Sequence, residues 1–380
     1  MKRMLLTMAL AASAVAGCQP TASLPAAVSP SAPVARPTLQ ITIPPSPSSP
    51  VPTPTTNVSP APNAARLALS DARLVADNRS HFLFQAASES RLRAVAWSDG
   101  TSGVLAGEVP SKATVWQSPD GRRYVLNGKI YDADGRELGA LPWQDGSLPT
   151  WSRDGQFLCT AVPETRQTGA PMQLQTVFPG QQPRIVAAGY GIYNDNAGYP
   201  VLACDATSDR VIVASFGQGV FAGHLWVFRL STGALIRSED IGANVAGSWL
   251  AASADGTLLA HSVHTTNADS PTTTIRTAES PAALQTLPNF EAHGFSGDGS
   301  LLIGVTGPNA VGIVDWKAAR RVWSAAGTPY GGYFPEPGGA HFAVGLGFVG
   351  GAEDKGDVYI VGPDGASVVL PSGVHVVLHY

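Results

Sequence analysis

Beyond residue 66 the chain reads as short apolar runs separated by turn chemistry at recurring intervals. Tyr124-Val125-Leu126, Phe157-Leu158-Cys159, Leu258-Leu259-Ala260 and Leu301-Leu302-Ile303 each follow a Ser-x-Asp-Gly tetrapeptide, at 118–121, 152–155, 253–256 and 296–299. Asp-Gly between two apolar runs predicts a hairpin, because glycine takes positive φ cheaply and the aspartate side chain caps the turn. Asp120, Gly121, Asp154, Gly155, Asp255, Gly256, Asp298 and Gly299 are therefore read as structural turn residues. Weaker copies stand at Glu336-Pro337-Gly338-Gly339 and between Asp205 and Asp209. A second hairpin follows each of these, as in Leu225 to Leu230, turn Ser231-Thr232-Gly233, then Ala234 to Arg237. Strand, turn, strand, loop, strand, turn, strand makes one four-stranded unit. The four aspartates are 34, 101 and 43 residues apart, and the long gap spans two units if the copy near Asp209 is counted. Units of this size are propeller blades. The prediction over 66–380 is an all-β domain, a β-propeller of seven four-stranded blades, with six or eight also allowed by the spacing. No amphipathic helix of three turns follows the N-terminal segment, though Ala65 to Asp77 is ambiguous.

An aromatic often precedes the turn, as Trp116, Trp151 and Phe295 do. Trp116-Gln117-Ser118-Pro119-Asp120-Gly121 and Trp151-Ser152-Arg153-Asp154-Gly155 resemble the WD-like repeats of TolB-type bacterial β-propellers. That resemblance is sharp in four units and implies fold rather than activity, since the motif makes turns and packs aromatics between blades. Val374 to Leu378 alternates like one more strand and is expected to pair near Leu67–Val75, closing the ring.

The N-terminal segment carries an address. Met1-Lys2-Arg3-Met4 is a short positive start, and the apolar run Leu5 to Val15 is too short to span a bilayer but suits a secretory signal. Val15-Ala16-Gly17-Cys18 resembles a bacterial lipobox. The resemblance implies a lipoprotein signal peptide over 1–17, cleavage before Cys18, acylation of that residue including palmitate, and attachment to a membrane. Gln19, not aspartate, follows the cysteine, which implies the outer membrane in a Gram-negative host and otherwise the outer face of the cytoplasmic membrane. Residues 18–65 are rich in Pro, Ser and Thr, with Pro-Pro at 44–45. Such a stretch buries too little apolar surface to offset its ordering entropy and is expected to be a disordered tether.

Composition narrows the function classes. Charged residues are 14% of the chain, the net charge is −4, and the lysines are Lys2, Lys112, Lys129, Lys317 and Lys355. A nucleic-acid binder is not expected, because phosphates are met by clustered Lys and Arg. Gly345 to Gly350 matches G-x-G-x-x-G, but acidic Glu353-Asp354 follows where that motif needs a helix, so the segment is read as a loop between hairpins and no cofactor is expected. The turn aspartates would share one face, yet the turn role accounts for each of them. His261 and His264 are expected to point to opposite faces of a strand, so with His293 they are not read as metal ligands. Gly294-Phe295-Ser296-Gly297-Asp298 lacks the second glycine of a nucleophile elbow. With Cys18 lipidated, Cys159 and Cys204 remain, either disulfide-bonded or as two buried thiols. Most of the eight tryptophans are expected in the core, with Trp143 the candidate for an exposed, ligand-binding ring.

These readings describe a monomeric, lipid-anchored envelope propeller that binds protein, peptide or glycan without catalysis. The alternative is a lactonase- or lyase-like propeller enzyme with its site at the central channel, which three convergent His, Asp or Glu side chains would favour.

Overall fold

A computed structural model describes residues 68–69, 81–86, 92–97, 100, 102–106, 115–132, 136–142, 149–193, 198–216, 222–241, 247–264, 270–307, 310–327, 332–347, 356–374 and 376–379. Cys18, Trp143 and the whole 1–65 segment lie outside them. Every regular element among the described residues is a strand.

The strands run in order. β1 (Ala68–Leu69), β2 (His81–Ala86), β3 (Leu92–Ala96) and β4 (Ser102–Ala106) come first. One blade holds β5 (Val115–Gln117), β6 (Arg123–Leu126), β7 (Lys129–Asp132) and β8 (Glu137–Ala140). The next holds β9 (Thr150–Trp151), β10 (Leu158–Pro163), β11 (Pro171–Val177) and β12 (Arg184–Ile192). It is followed by the blade of β13 (Val201–Asp205), β14 (Arg210–Phe216), β15 (Ala222–Arg229) and β16 (Leu235–Asp240). Then comes that of β17 (Gly247–Ala252), β18 (Leu258–His264), β19 (Thr272–Thr277) and β20 (Ala283–Pro288). β21 (Glu291–Phe295), β22 (Leu301–Gly307), β23 (Ala310–Asp315) and β24 (Arg320–Ala326) form another. β25 (Tyr333–Pro335), β26 (Phe342–Gly347), β27 (Gly356–Val361) and β28 (Ser367–Val374) precede the final strand, β29 (Val376–His379).

This is a β-propeller, and each of these six blades is an antiparallel meander. The count of four-stranded blades is thus six, one below the seven predicted. The remaining sheet is five-stranded, in the order β1-β4-β3-β2-β29, because both ends of the described chain contribute to it. β29 does join the first sheet, but its partner is β2, in the register Leu83↔His379 to Ala86↔Val376. The expected partner near Leu67–Val75 contributes only β1, which pairs with β4 at the opposite edge. The reason is positional: β29 touches the inner strands β25 and β5, so the last strand occupies an inner place and meets the sheet from that side.

Burial follows the strand's place in the blade. All six residues of β10 are buried, whereas β12, the outermost strand of that blade, has no buried residue and is exposed or half-buried throughout. Burial on both faces suits a strand flanked by other strands and by neighbouring blades. The cores lie between blades. Cys159, Ala161, Met172 and Leu174 pack against Val201, Val211, Val213, Trp226 and Phe228 of the following blade. Full burial of each such large apolar side chain contributes about 1.5–3 kcal/mol.

The Ser-x-Asp-Gly segments form one device four times. Ser118 Oγ donates to Asp120 Oδ1 at 2.6 Å, the Arg123 amide donates to Ser118 Oγ at 2.9 Å, and the Arg122 amide donates to Asp120 Oδ1 at 3.1 Å. The same pattern recurs at Ser152–Asp154, Ser253–Asp255 and Ser296–Asp298. Gly121, Gly155, Gly256 and Gly299 sit at φ of 68°, 74°, 65° and 75°, where a Cβ would be strained. The turns also bond to the following blade, at its turn or at its inner strand. Arg123 Nη1 donates to Gly155 O at 2.9 Å, the Arg153 amide to Cys204 O at 3.0 Å, and the Asp298 amide to Gly339 O at 3.0 Å.

Candidate functional site

The inner strands have two ends, and the Ser-x-Asp-Gly turns occupy one of them. At the opposite end, side chains from four successive blades meet. Glu291 opens β21, and His264 closes β18 in the preceding blade. Glu291 Oε2 lies 2.5 Å from His264 Nε2, and Glu291 Oε1 lies 2.7 Å from His293 Nε2. The three side chains are 22%, 28% and 15% exposed, respectively, so the cluster is partly open to solvent.

The hydrogen bond from His293 holds the Glu291 carboxyl below the ordinary range; burial opposes this, and the bond from His264 adds to it. An ionised carboxylate only accepts, so both imidazoles carry the proton on Nε2 and donate it. The carboxylate thereby fixes the tautomer and orientation of two rings.

Local chain geometry explains why His293 is available. The pairing of β21 with β22 shifts register between Ala292 and Gly294, leaving His293 as the extra residue of a β-bulge. Bulges re-aim side chains and free a backbone group. Here the freed His293 carbonyl accepts a hydrogen bond from the Tyr333 hydroxyl of the next blade. Gly294 permits that approach, since a Cβ there would sit 2.5 Å from the Tyr333 ring. Behind the cluster, the Ala292 amide donates to Ser262 Oγ at 2.8 Å, and Ser262 and Thr273 share a 2.7 Å hydrogen bond, all fully buried. This satisfied polar network locks the bulged strand onto the preceding blade.

Aromatic rings complete the rim. The Trp249 ring stacks on His293 at 4.7 Å between centroids, and Phe216 meets Trp249 edge-on at 6.2 Å. Tyr333 lies 6.3 Å from the His293 ring on its other side. The arc Phe216, Trp249, His293, Tyr333 crosses from β14 through β17 and β21 to β25.

The residues singled out in the sequence fall elsewhere or divide. Asp120, Asp154, Asp255 and Asp298 lie at the turn end with their carboxylates engaged in their own turns. Burial alone would raise the Asp255 carboxyl, but the Ser253 hydroxyl and the Thr257 amide and hydroxyl outweigh it and hold it below the usual range. Ser296 is fully buried and bonded within its turn. Gly345, Leu346 and Gly347 belong to β26, a strand and not the expected loop. Cys159 and Cys204 face each other from β10 and β13 and are joined, with their Cα atoms 6.2 Å apart. Trp97, Trp151, Trp226 and Trp316 are buried, whereas Trp116, Trp249 and Trp323 are half-buried.

His261 and His264 separate as expected, but the meeting of His264 with His293 across Glu291 was not foreseen. His264 and His293 converge, while His261 sits away from them in an inter-blade network. Burial, together with the nearby Arg276 guanidinium, lowers His261 to about 4. Arg276 is itself buried and bonds Glu239 Oε1 at 3.0 Å, and Arg237 also pairs with Glu239. Glu291 was missed altogether. Its only sequence signal was Glu-x-His at the start of an inner strand, with Trp249 and Tyr333 near the same place in neighbouring units. A separate cleft of about 420 Å³ at the outer edge, lined by Ile130, Leu138, Val177, Phe178 and Pro183 among others, contains no ionisable side chain.

No protein-family model and no curated protein matches the chain. Among solved structures, it is similar to the hydrazine synthase of Kuenenia stuttgartiensis at 14% identity and TM-score 0.49, covering 84% of this chain and 99% of that one. It is also similar to an oligogalacturonate lyase in complex with manganese at 13% identity and TM-score 0.50, covering 75% of this chain and 86% of that one. Identities this low speak to the propeller fold alone.

Proposed function

We propose that this chain is a lipid-anchored propeller of the cell envelope that binds a glycan at the rim built around Glu291. The observation that carries the reading is the meeting of one ionised carboxylate, two oriented imidazoles and three half-buried aromatic rings at a partly open edge. Hydroxyl-rich ligands need fixed acceptors and donors beside apolar ring surface, and such convergence is the ordinary form of a small binding site. The lipobox-like Val15 to Cys18 and the proline-rich stretch after it support display of this rim away from a membrane. The test is titration of the intact chain with envelope oligosaccharides, read by tryptophan fluorescence. A saturable change that disappears in Trp249→Leu supports the reading; no change with any saccharide overturns it. Metabolic palmitate labelling that is lost in Cys18→Ser checks the anchor.

A second reading is an enzyme of lactonase or lyase type. It is favoured by the three titratable side chains that converge on one point, with imidazoles held as a catalytic base would need them. The lyase named above is an enzyme on a similar fold, which is compatible with chemistry here but points to no particular substrate. Turnover of a glycan or lactone that is abolished by His293→Asn, with an unchanged melting curve, would establish this reading over simple binding.

A further inference from the structure

We infer that the group seated against Glu291 is an amine, so that the glycan bound at this rim is an amino sugar and not a uronic acid. The inference rests on the reading of the rim as a saccharide site and names the charge of its ligand.

Three observations lead to it. First, among the described residues of this arc Glu291 carries the carboxylate, since the groups it meets there are two imidazoles and the residues framing them are Trp249, Phe216 and Tyr333. Recognition of a carboxylate ordinarily calls on Arg or Lys, and among the described residues neither pairs with Glu291 or stacks in this arc. Second, the Nε2 donors of His264 and His293 are already committed to Glu291, which removes them as donors to an incoming anion. Third, each carboxylate oxygen accepts one imidazole and keeps capacity for another donor. An ammonium supplies such donors together with the opposite charge, and adjacent ring faces favour cations further. A uronate brought to the same point would set two carboxylates side by side in a half-buried place, which is repulsive.

The structural neighbour that carries the name oligogalacturonate lyase makes the contrast sharp, because galacturonate is an acidic sugar. By its charge this rim selects against that class of ligand.

The experiment uses the intact chain and three probes of matched length near neutral pH: a glucosamine oligomer, an N-acetylglucosamine oligomer and an oligogalacturonate. Each is titrated by calorimetry and by tryptophan fluorescence. The expected result is that the glucosamine oligomer binds at least about tenfold more tightly than its acetylated counterpart and that oligogalacturonate does not bind, with Glu291→Gln erasing the tenfold preference. The amide in that variant keeps the volume and an acceptor for the imidazoles, and a melting curve shows whether it folds. If it does not, Glu291→Asp is the second variant; it shortens the reach of the carboxylate by one methylene, so the preference for the amine should shrink, and an undiminished preference overturns the inference. Oligogalacturonate binding as tightly as the glucosamine oligomer, or an amine preference that survives Glu291→Gln, overturns the inference while leaving the saccharide site standing. Failure of all three probes to perturb the chain overturns the saccharide reading and the inference with it.

Discussion

The two ends of the inner strands solve opposite problems. At the turn end, the polar side chains that define each turn are consumed nearby. Serine hydroxyl, aspartate carboxylate and turn amides close on one another within five residues, and the Arg123 side chain reaches the next turn. At the other end, Glu291, His264 and His293 satisfy one another across a blade seam and stay partly open. The difference teaches that a repeated motif marks where a fold is held together, while the unrepeated residues at the opposite end form the partly open cluster proposed as the binding rim.

The largest expected effect tests what both ends share, the closure of the ring. Deleting residues 373–380 removes β29 and leaves β2 without its inner partner. The thermal transition followed by circular dichroism should lose its cooperativity, and an unchanged melt would reject closure through this strand.

Next in size is the covalent link between neighbouring blades. Cys159 and Cys204 close a loop of 45 residues and are both buried. Replacing both by Ser should destabilise the protein by about 2–4 kcal/mol in denaturant unfolding. Rim-ligand binding should be little affected, because Glu291 and both imidazoles lie in the two blades that follow the linked pair.

The turn device should give a smaller loss. Asp298→Ala leaves the Ser296 hydroxyl and the Ser300 amide without their acceptor. A destabilisation of about 1–3 kcal/mol is expected, with ligand affinity unchanged. By contrast, Glu291→Gln should leave the melting temperature within a few degrees and change affinity, so the pair of variants separates the two ends directly.

The smallest effect is a dependence on acidity. Asp298 is held below the ordinary carboxylate range: burial pushes it up, but bonds from Ser296 and Ser300 prevail. Asp255 and Glu291 are depressed as well. A carboxylate depressed on folding contributes stability that is fully present above its unfolded pKa, near 4, and is lost as the pH falls through the folded value. The melting temperature should therefore drop below about pH 4, and Asp298→Asn should flatten that slope. A slope that Asp298→Asn leaves unaltered would remove this aspartate from the account.

The propeller was legible because its causes are local. Asp-Gly after serine makes the same turn wherever it stands, and runs such as Leu301-Leu302-Ile303 announce strands covered on both faces. The number of four-stranded blades was not, because the first sheet takes β1 on one edge and β29 on the other, a partition no repeat length reveals. The rim was equally hidden. Alternation correctly separates His261 from His264 on one strand, but nothing along the chain says that His264 will meet a glutamate 27 residues later.

By itself, then, the order of residues determined the turns, the strands and their repetition, since these follow from φ preferences and the period-two alternation of side chains over a few neighbours. Only the tertiary structure decided that Glu291 joins His264, that Trp249 covers His293 and that Cys159 meets Cys204. Those contacts depend on the angle at which successive blades pack and on the bulge that turns His293, both of which are properties of the assembled ring.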